Sequence, residues 1–115
     1  MKSAGINGFG RFGLHLLKYW IERFYKTGFI IKYINDENLN IARIFEIIKT
    51  DKYCKINHVK FFIEKKGILL KFPDGIDHLI EITNQKNGQI SWIGKVDIFL
   101  ECSGKNTKKA DCKNI

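Results

Sequence analysis

Three glycines with the spacing Gly8-x-Gly10-x-x-Gly13 form the pattern in this sequence with the clearest chemical meaning. In a turn between a strand and a helix, the first such glycine permits a tight turn and the second lets the backbone approach a phosphate. The third lets the helix pack against the strand. Because N–H groups at the start of a helix attract anions, the spacing predicts a dinucleotide pyrophosphate site. Glycine turns that bind nothing are the alternative interpretation.

The segments around the glycines predict a βαβ unit. Residues 3–7 indicate a short strand of small residues, and the apolar run FIIKYIN indicates a strand buried in a parallel sheet. Between them the spacing is helical and Thr27-Gly28 is predicted to end the helix. The predicted apolar side of this helix consists of Phe12, Leu16, Leu17, Ile21 and Phe24, and the predicted polar side of Arg11, His15, Lys18 and Glu22.

An acidic residue, Asp36, follows the second predicted strand. An acidic side chain about twenty residues after the last glycine hydrogen-bonds the adenosine ribose and repels the 2′-phosphate of NADP, so NAD is the predicted cofactor. The same carboxylate, or Asn38, can instead cap a helix predicted over residues 39–48. The two roles of Asp36 are compatible.

The second half of the chain has a β texture. Strands are predicted over residues 59–64, 67–72, 78–83 and 96–101, with a hairpin turn at Lys65-Lys66-Gly67 and another turn at Pro73-Asp74-Gly75. The predicted fold is α/β, a Rossmann-type doubly wound and mostly parallel sheet with a β-hairpin or antiparallel insertion in the middle. The predicted domain organisation is one NAD-binding domain over residues 1–104, followed by a polar, lysine-rich tail over residues 105–115.

Composition and charge narrow the function classes. The net charge of +8 comes from lysines spread along the chain, which is typical of a solvated surface, and no nucleic-acid-reading motif accompanies them. Nucleic acid is therefore not the predicted partner. No apolar stretch approaches the roughly 20 residues of a membrane span, so a cytoplasmic protein with no membrane partner is expected.

Cysteines and histidines do not form a catalytic or metal-binding pattern. Cys54, Cys102 and Cys112 lack C-x-x-C spacing, which argues against a disulfide framework or a zinc site. Cys102 is interpreted as a buried or half-buried small residue rather than a nucleophile. The three histidines, at positions 15, 58 and 78, are predicted on the surface, and their spacing indicates neither a metal site nor a triad.

Three strings in order, GINGFGRFG, INDENL and ECSG, resemble the amino-terminal NAD-binding half of phosphorylating glyceraldehyde-3-phosphate dehydrogenase. The resemblance spans roughly residues 3–104. It implies that Asn7, Arg11 and Phe12 lie against the cofactor, with the main-chain amides of Arg11 and Phe12 at the pyrophosphate. Asn35 and Asp36 would hold the adenine end. The implied cofactor-binding set is Asn7, Gly8, Gly10, Arg11, Phe12, Gly13, Asn35, Asp36, Ser103 and Gly104.

The sequence also departs from the family pattern. Gln85 stands where the family usually has an arginine, Asn106 where it has an aromatic residue, and Leu14 where it has a basic one. The S-C-T-T-N-C segment with the catalytic cysteine, and the histidine that follows it, have no counterpart. The resemblance thus implies a truncated chain, inactive alone and completed by a catalytic-domain chain or a homo-oligomer. The alternative is a non-catalytic remnant whose basic surface binds nucleic acid or protein.

Overall fold

A six-stranded mixed sheet and two α-helices organise the computed structural model, which describes residues 1–24, 26–51 and 58–103. In chain order the elements are β1 (Lys2–Asn7), α1 (Arg11–Glu22), β2 (Phe29–Asn35), α2 (Ile41–Thr50), β3 (Lys60–Ile63), β4 (Gly67–Lys71), β5 (Asp77–Thr83), a 3₁₀ turn (Ile93–Lys95) and β6 (Ile98–Glu101). The α/β class is therefore as the sequence predicts.

The strands lie in the order β3-β4-β5-β2-β1-β6. β5, β2, β1 and β6 pair in parallel, whereas β3 and β4 pair antiparallel with each other, as do β4 and β5. The antiparallel insertion predicted for the middle of the chain is thus confirmed, and it extends one edge of a mostly parallel sheet.

Both helices pack on one face of this sheet. The core there joins Leu17 of α1 and Ile44 of α2 with Ala4 and Ile6 of β1. Side chains alternate along a strand, so the intervening Gly5 faces the other side, where the ring of Trp92 fills the place of its missing Cβ. The doubly wound prediction expects helices on both faces, and in the described residues the second face is crossed by the β5–β6 connection instead.

Strand order explains this arrangement. The steps from β1 to β2 and from β2 to β5 run in one direction across the sheet. Right-handed connections then place α1 and α2 on the same face. The step from β5 to β6 runs back past β2 and β1, which sends it over the opposite face, where it forms only the short 3₁₀ turn.

The buried side of α1 differs from the predicted one. Phe12 is 76% exposed, whereas Lys18 is 4% exposed and its Nζ lies 3.1 Å from the Asp51 carboxylate. Successive helical residues are rotated by 100°, so the buried arc centred on Leu17 excludes Phe12 and includes Lys18. The helix also ends at Glu22, before the predicted Thr27-Gly28 stop. In the turn that follows, the N–H groups of Arg23 and Phe24 donate to carbonyl oxygens three residues earlier, instead of the four of an α-helix.

The second helix begins later than predicted. Asn40 is its N-cap, and its Oδ1 accepts the Arg43 N–H at 2.9 Å, so neither Asp36 nor Asn38 caps it. Neither helix, nor any other in the part of the chain that the structure describes, is long and apolar enough to cross a membrane.

His78, predicted on the surface, is half-buried at the start of β5. Its Nε2–H donates a hydrogen bond to the Ile31 carbonyl oxygen at 2.7 Å, and the Trp20 ring packs against the imidazole with centroids 5.5 Å apart. Burial lowers the pKa of His78 below its ordinary value of 6.5, and the positive charge of Lys32 lowers it further. The folded protein therefore favours the neutral ring.

This burial predicts acid sensitivity. Because the pKa of His78 is lower in the folded state than in the unfolded chain, the stabilisation by neutral His78 is fully present above pH 6.5 and is lost as the pH falls below it. Urea unfolding of the wild type and of His78→Gln from pH 8 to pH 5 measures this. We expect a smaller fall in unfolding free energy for His78→Gln, whereas His15→Gln, at an exposed position, should follow the wild type. Parallel profiles for all three proteins would contradict the prediction.

Candidate functional site

The carboxyl ends of three parallel strands meet beside β1. Asn7, the last residue of β1, is in register with Asn35 on one side and with Glu101 on the other. The chain leaves β1 toward β2, and β6 lies on the opposite side, so the strand order reverses at β1. In open α/β sheets a crevice for ligands forms at such a reversal, outside the carboxyl ends of the strands.

The three glycines of the turn after β1 occupy three different environments. Gly8 has a φ of +99°, and a Cβ there would lie 2.2 Å from the Ser103 Cα. A Cβ at Gly13 would lie 2.2 Å from the Gly8 carbonyl oxygen, so α1 packs directly on the turn. A Cβ at Gly10 would meet no atom of the described residues within 4 Å. Packing thus requires glycine at positions 8 and 13 but not at position 10.

Asn7 and Asn35 are buried and form a side-chain network. The Asn7 Oδ1 accepts from the Asn35 Nδ2 at 3.0 Å, and the Asn7 Nδ2 donates to the Glu101 carboxylate and to Asn87. The Asn35 Oδ1 accepts the Thr83 hydroxyl at 2.7 Å. The resemblance places both asparagines against the cofactor, but these contacts use their side chains to join β1, β2, β5 and β6.

Asp36 holds the turn after β2 against the glycine turn. Its Oδ2 accepts the Phe9 N–H at 2.7 Å, and its Oδ1 accepts the N–H groups of Asn38 and Leu39 at 2.8 and 3.0 Å. A carboxylate has about four acceptor positions, so these three hydrogen bonds leave room for one further donor such as a ribose hydroxyl. Asp36 also lines a small cleft beside Gly8 and Ser103.

The end of β6 closes the other side of the cleft. The Ser103 hydroxyl donates to the Glu101 Oε1 at 2.5 Å, and the Cys102 N–H donates to the Asn7 carbonyl oxygen at 2.7 Å. Cys102 is half-buried, and burial followed by the Glu101 charge raises the pKa of its thiol. A thiol held in its protonated form is a poor nucleophile. Gly104, Asn106, Cys54 and Cys112 lie outside the described residues.

Two concave regions formed by described residues adjoin the glycine turn. One is a cleft of about 40 Å³ lined by Asn7, Gly8, Asp36, Glu37, Asn38, Asn87 and Ser103. The other is a groove of about 280 Å³ between the two helices, lined by Phe9, Gly10, Arg11, Leu14, His15, Leu39, Ile47 and Asp51. Arg11 and Phe12 are exposed at the start of α1, where the capping residue is Gly10, which has no side chain to hydrogen-bond the first turn.

Other residues near the site were not predicted as part of it. Glu101, Asn87 and Thr83 complete the asparagine network. Of these three, only Glu101 had an indication in the sequence, since it ends an apolar strand and begins the ECSG string. Gln85 orders the connection to β6, because its Oε1 accepts the Ser91 N–H at 2.9 Å. Leu14 is a core residue, 6% exposed.

Comparison with known proteins adds no relative. No protein-family model and no curated protein matches this chain. The resemblance described above therefore depends on the sequence motifs alone, and the functional argument depends on the geometry of the site.

Proposed function

We propose that this chain is a Rossmann-type NAD-binding domain of an oxidoreductase resembling glyceraldehyde-3-phosphate dehydrogenase. The observation that carries the proposal is the difference between the glycines. Packing accounts for Gly8 and Gly13, but no described atom accounts for Gly10. A bound pyrophosphate, which needs close approach to the backbone at that position, does account for it.

The remaining groups fit parts of the cofactor. The first turn of α1, at Arg11 and Phe12, presents the positive end of the helix dipole to the space above Gly10. Asp36 retains one acceptor position for the adenosine ribose. The cleft of about 40 Å³ beside it is smaller than the several hundred Å³ of a typical ligand site. Because the cleft is this small, we expect weak affinity.

The chain supplies binding and orientation in this proposal, and no catalytic group. NAD, when bound, is the hydride acceptor for an aldehyde substrate. The 115 residues contain no S-C-T-T-N-C segment, and the protonated Cys102 thiol is a poor substitute for a nucleophile. The nucleophile and the base would come from a catalytic domain or chain, and alone this chain should oxidise no aldehyde.

The Gly10→Ala variant tests the proposed site. The new methyl group meets no atom in the part of the chain that the structure describes, so the free energy of unfolding should change by less than about 1 kcal/mol. The methyl group would occupy the pyrophosphate position, and we expect the Kd for NAD to rise at least about tenfold. Calorimetric titration with NAD, beside urea unfolding of the same samples, measures both quantities.

Gly28→Ala is the matched control, because its Cβ also meets no atom of the described residues within 4 Å and it lies in the connection between α1 and β2. It should bind NAD like the wild type. The wild type should also bind NAD more tightly than NADP, since the Asp36 carboxylate repels a 2′-phosphate. Asp36→Ala is a poorer test because it also removes the three main-chain hydrogen bonds. A folded wild type without NAD binding, or equal binding by Gly10→Ala, would refute the proposal.

A further inference from the structure

An exposed apolar row crosses the antiparallel edge of the sheet on the face opposite the helices. Phe62 of β3 pairs directly with Leu69 of β4, which pairs directly with Leu79 of β5. Phe62 is 44% and Leu79 45% exposed, and Leu69 is half-buried. Their sequence neighbours Phe61, Leu70 and Ile80 point into the core under the helices. The row is therefore apolar surface that the described part of the chain leaves uncovered.

Charged residues of opposite sign border this row at its two ends. At one end, two residues from the apolar row along each strand, Lys60 pairs with Lys71, and Lys71 pairs with Asp77. Two residues away in the other direction, Glu64 lies opposite Gly67, and Gly67 pairs with Glu81. Side chains two apart on a strand share a face, so the face runs from a lysine end through the apolar row to a glutamate end.

Several of these charges have no partner of opposite sign among residues 1–24, 26–51 and 58–103. The Lys71 Nζ lies 3.6 Å from the Asp77 carboxylate, but no ion pair there includes Lys60, Glu64 or Glu81. Lys60 and Lys71 are also directly opposed like charges, an arrangement that destabilises a strand pair. An acidic group from outside the chain, placed over Lys60, would relieve this repulsion.

We propose that this face is a homodimer interface, in which the row Phe62-Leu69-Leu79 packs on the same row of a second copy. A two-fold axis parallel to the row reverses the strand direction of the partner and brings its glutamate end over the lysine end of the first copy. Lys60 then faces Glu64 of the partner subunit. Lys71 lies over the partner's Gly67, which has no side chain. Asp77 lies over the partner's Glu81, and Lys71, whose Nζ is 3.6 Å from the Asp77 carboxylate, is the cation beside these two carboxylates.

The alternative two-fold orientation is unfavourable. An axis parallel to the strands would place Lys60 over the partner's Asp77, which already lies beside Lys71, but it would also place Lys71 on the partner's Lys71 and Glu64 over the partner's Glu81. Face-to-face sheets pack about 10 Å apart with their strands nearly aligned. Lysine and glutamate side chains reaching from both sheets can span that gap. The charge order on the face therefore selects one of the two symmetric dimers.

Sedimentation equilibrium over a range of protein concentrations tests the interface. The wild type should show a monomer–dimer equilibrium, and Leu79→Asp should raise the dimer Kd at least about tenfold because each dimer would bury two carboxylates. Ile63→Asp is the matched control. Ile63 is also 45% exposed, but it lies on the helix-side face of β3, so its substitution should leave the dimer Kd unchanged.

A charge exchange tests the orientation separately. Lys60→Glu alone should weaken the dimer because it places two carboxylates together, and Lys60→Glu with Glu64→Lys should restore it. A chain that stays monomeric at every concentration would overturn the proposal and leave the face to another domain or protein. Equal weakening by Leu79→Asp and Ile63→Asp, or no recovery in the double variant, would also overturn it. None of these outcomes depends on NAD binding.

Discussion

Gly8→Ala is expected to lower the free energy of unfolding by about 4 kcal/mol, since a strained backbone and a steric clash act together. At a φ of +99° an alanine is strained, and its Cβ would lie 2.2 Å from the Ser103 Cα and 2.3 Å from the Ser103 nitrogen. Backbone atoms cannot rotate away as a flexible side chain can, so β1 and β6 would have to separate. Urea unfolding followed by tryptophan fluorescence measures the loss.

Gly75→Ala separates the two causes. Gly75 has a φ of +91°, close to that of Gly8, but a Cβ there would meet none of the described atoms within 4 Å. Its substitution should therefore cost only the backbone strain, about 1–2 kcal/mol. If both variants lose the same stability, the close approach of Gly8 to Ser103 makes no energetic contribution and the prediction is wrong.

Trp92→Ala is the second substitution with a large expected effect, again about 4 kcal/mol. The Trp92 side chain is 1% exposed, stacks on the Tyr33 ring with centroids 5.3 Å apart and fills the space above Gly5. Its Nε1 donates to the Thr83 hydroxyl at 3.0 Å. The substitution would open a cavity on the face opposite α1 and α2 and remove a hydrogen bond next to the asparagine network.

Two further variants in the β5–β6 connection serve as controls for Trp92→Ala. Trp92→Phe keeps most of the ring volume and loses the N–H donor, so it should cost clearly less than Trp92→Ala. Ile93→Ala changes the next residue, which is 46% exposed, and should stay within about 0.5 kcal/mol of the wild type. Equal losses for Trp92→Ala and Ile93→Ala in urea unfolding would show that the indole does not anchor the β5–β6 connection.

The features predicted correctly from the sequence have local causes. The glycine turn, the strand Phe29–Asn35 and the β3–β4 hairpin each depend on residues within a few positions of one another. The glycine spacing also predicted that individual positions need the absence of a side chain, and Gly8 and Gly13 do so through packing. Local backbone preference and hydrophobic periodicity suffice for such features.

Errors arose where distant contacts decide between locally equivalent choices. The helical pattern of α1 is compatible with a buried side that includes Phe12 or with one that includes Lys18. The observed structure buries Lys18, because Asp51, 33 residues later, accepts its hydrogen bond. Asp36 and Asn40 are both acceptable caps for α2. Asp36 instead binds the Phe9 N–H, 27 residues earlier in the chain, and Asn40 remains as the cap.

The sequence by itself determined the α/β class, the glycine turn after the first strand and the antiparallel edge, because each follows from short-range pattern. Only the tertiary structure decided that both helices lie on one face and that Trp92 covers the other. It also joined Asn7, Asn35 and Thr83, which are 28 and 48 residues apart, in one network. Which strands become neighbours is a long-range choice, made by the burial of apolar surface and the pairing of buried polar groups across the whole chain.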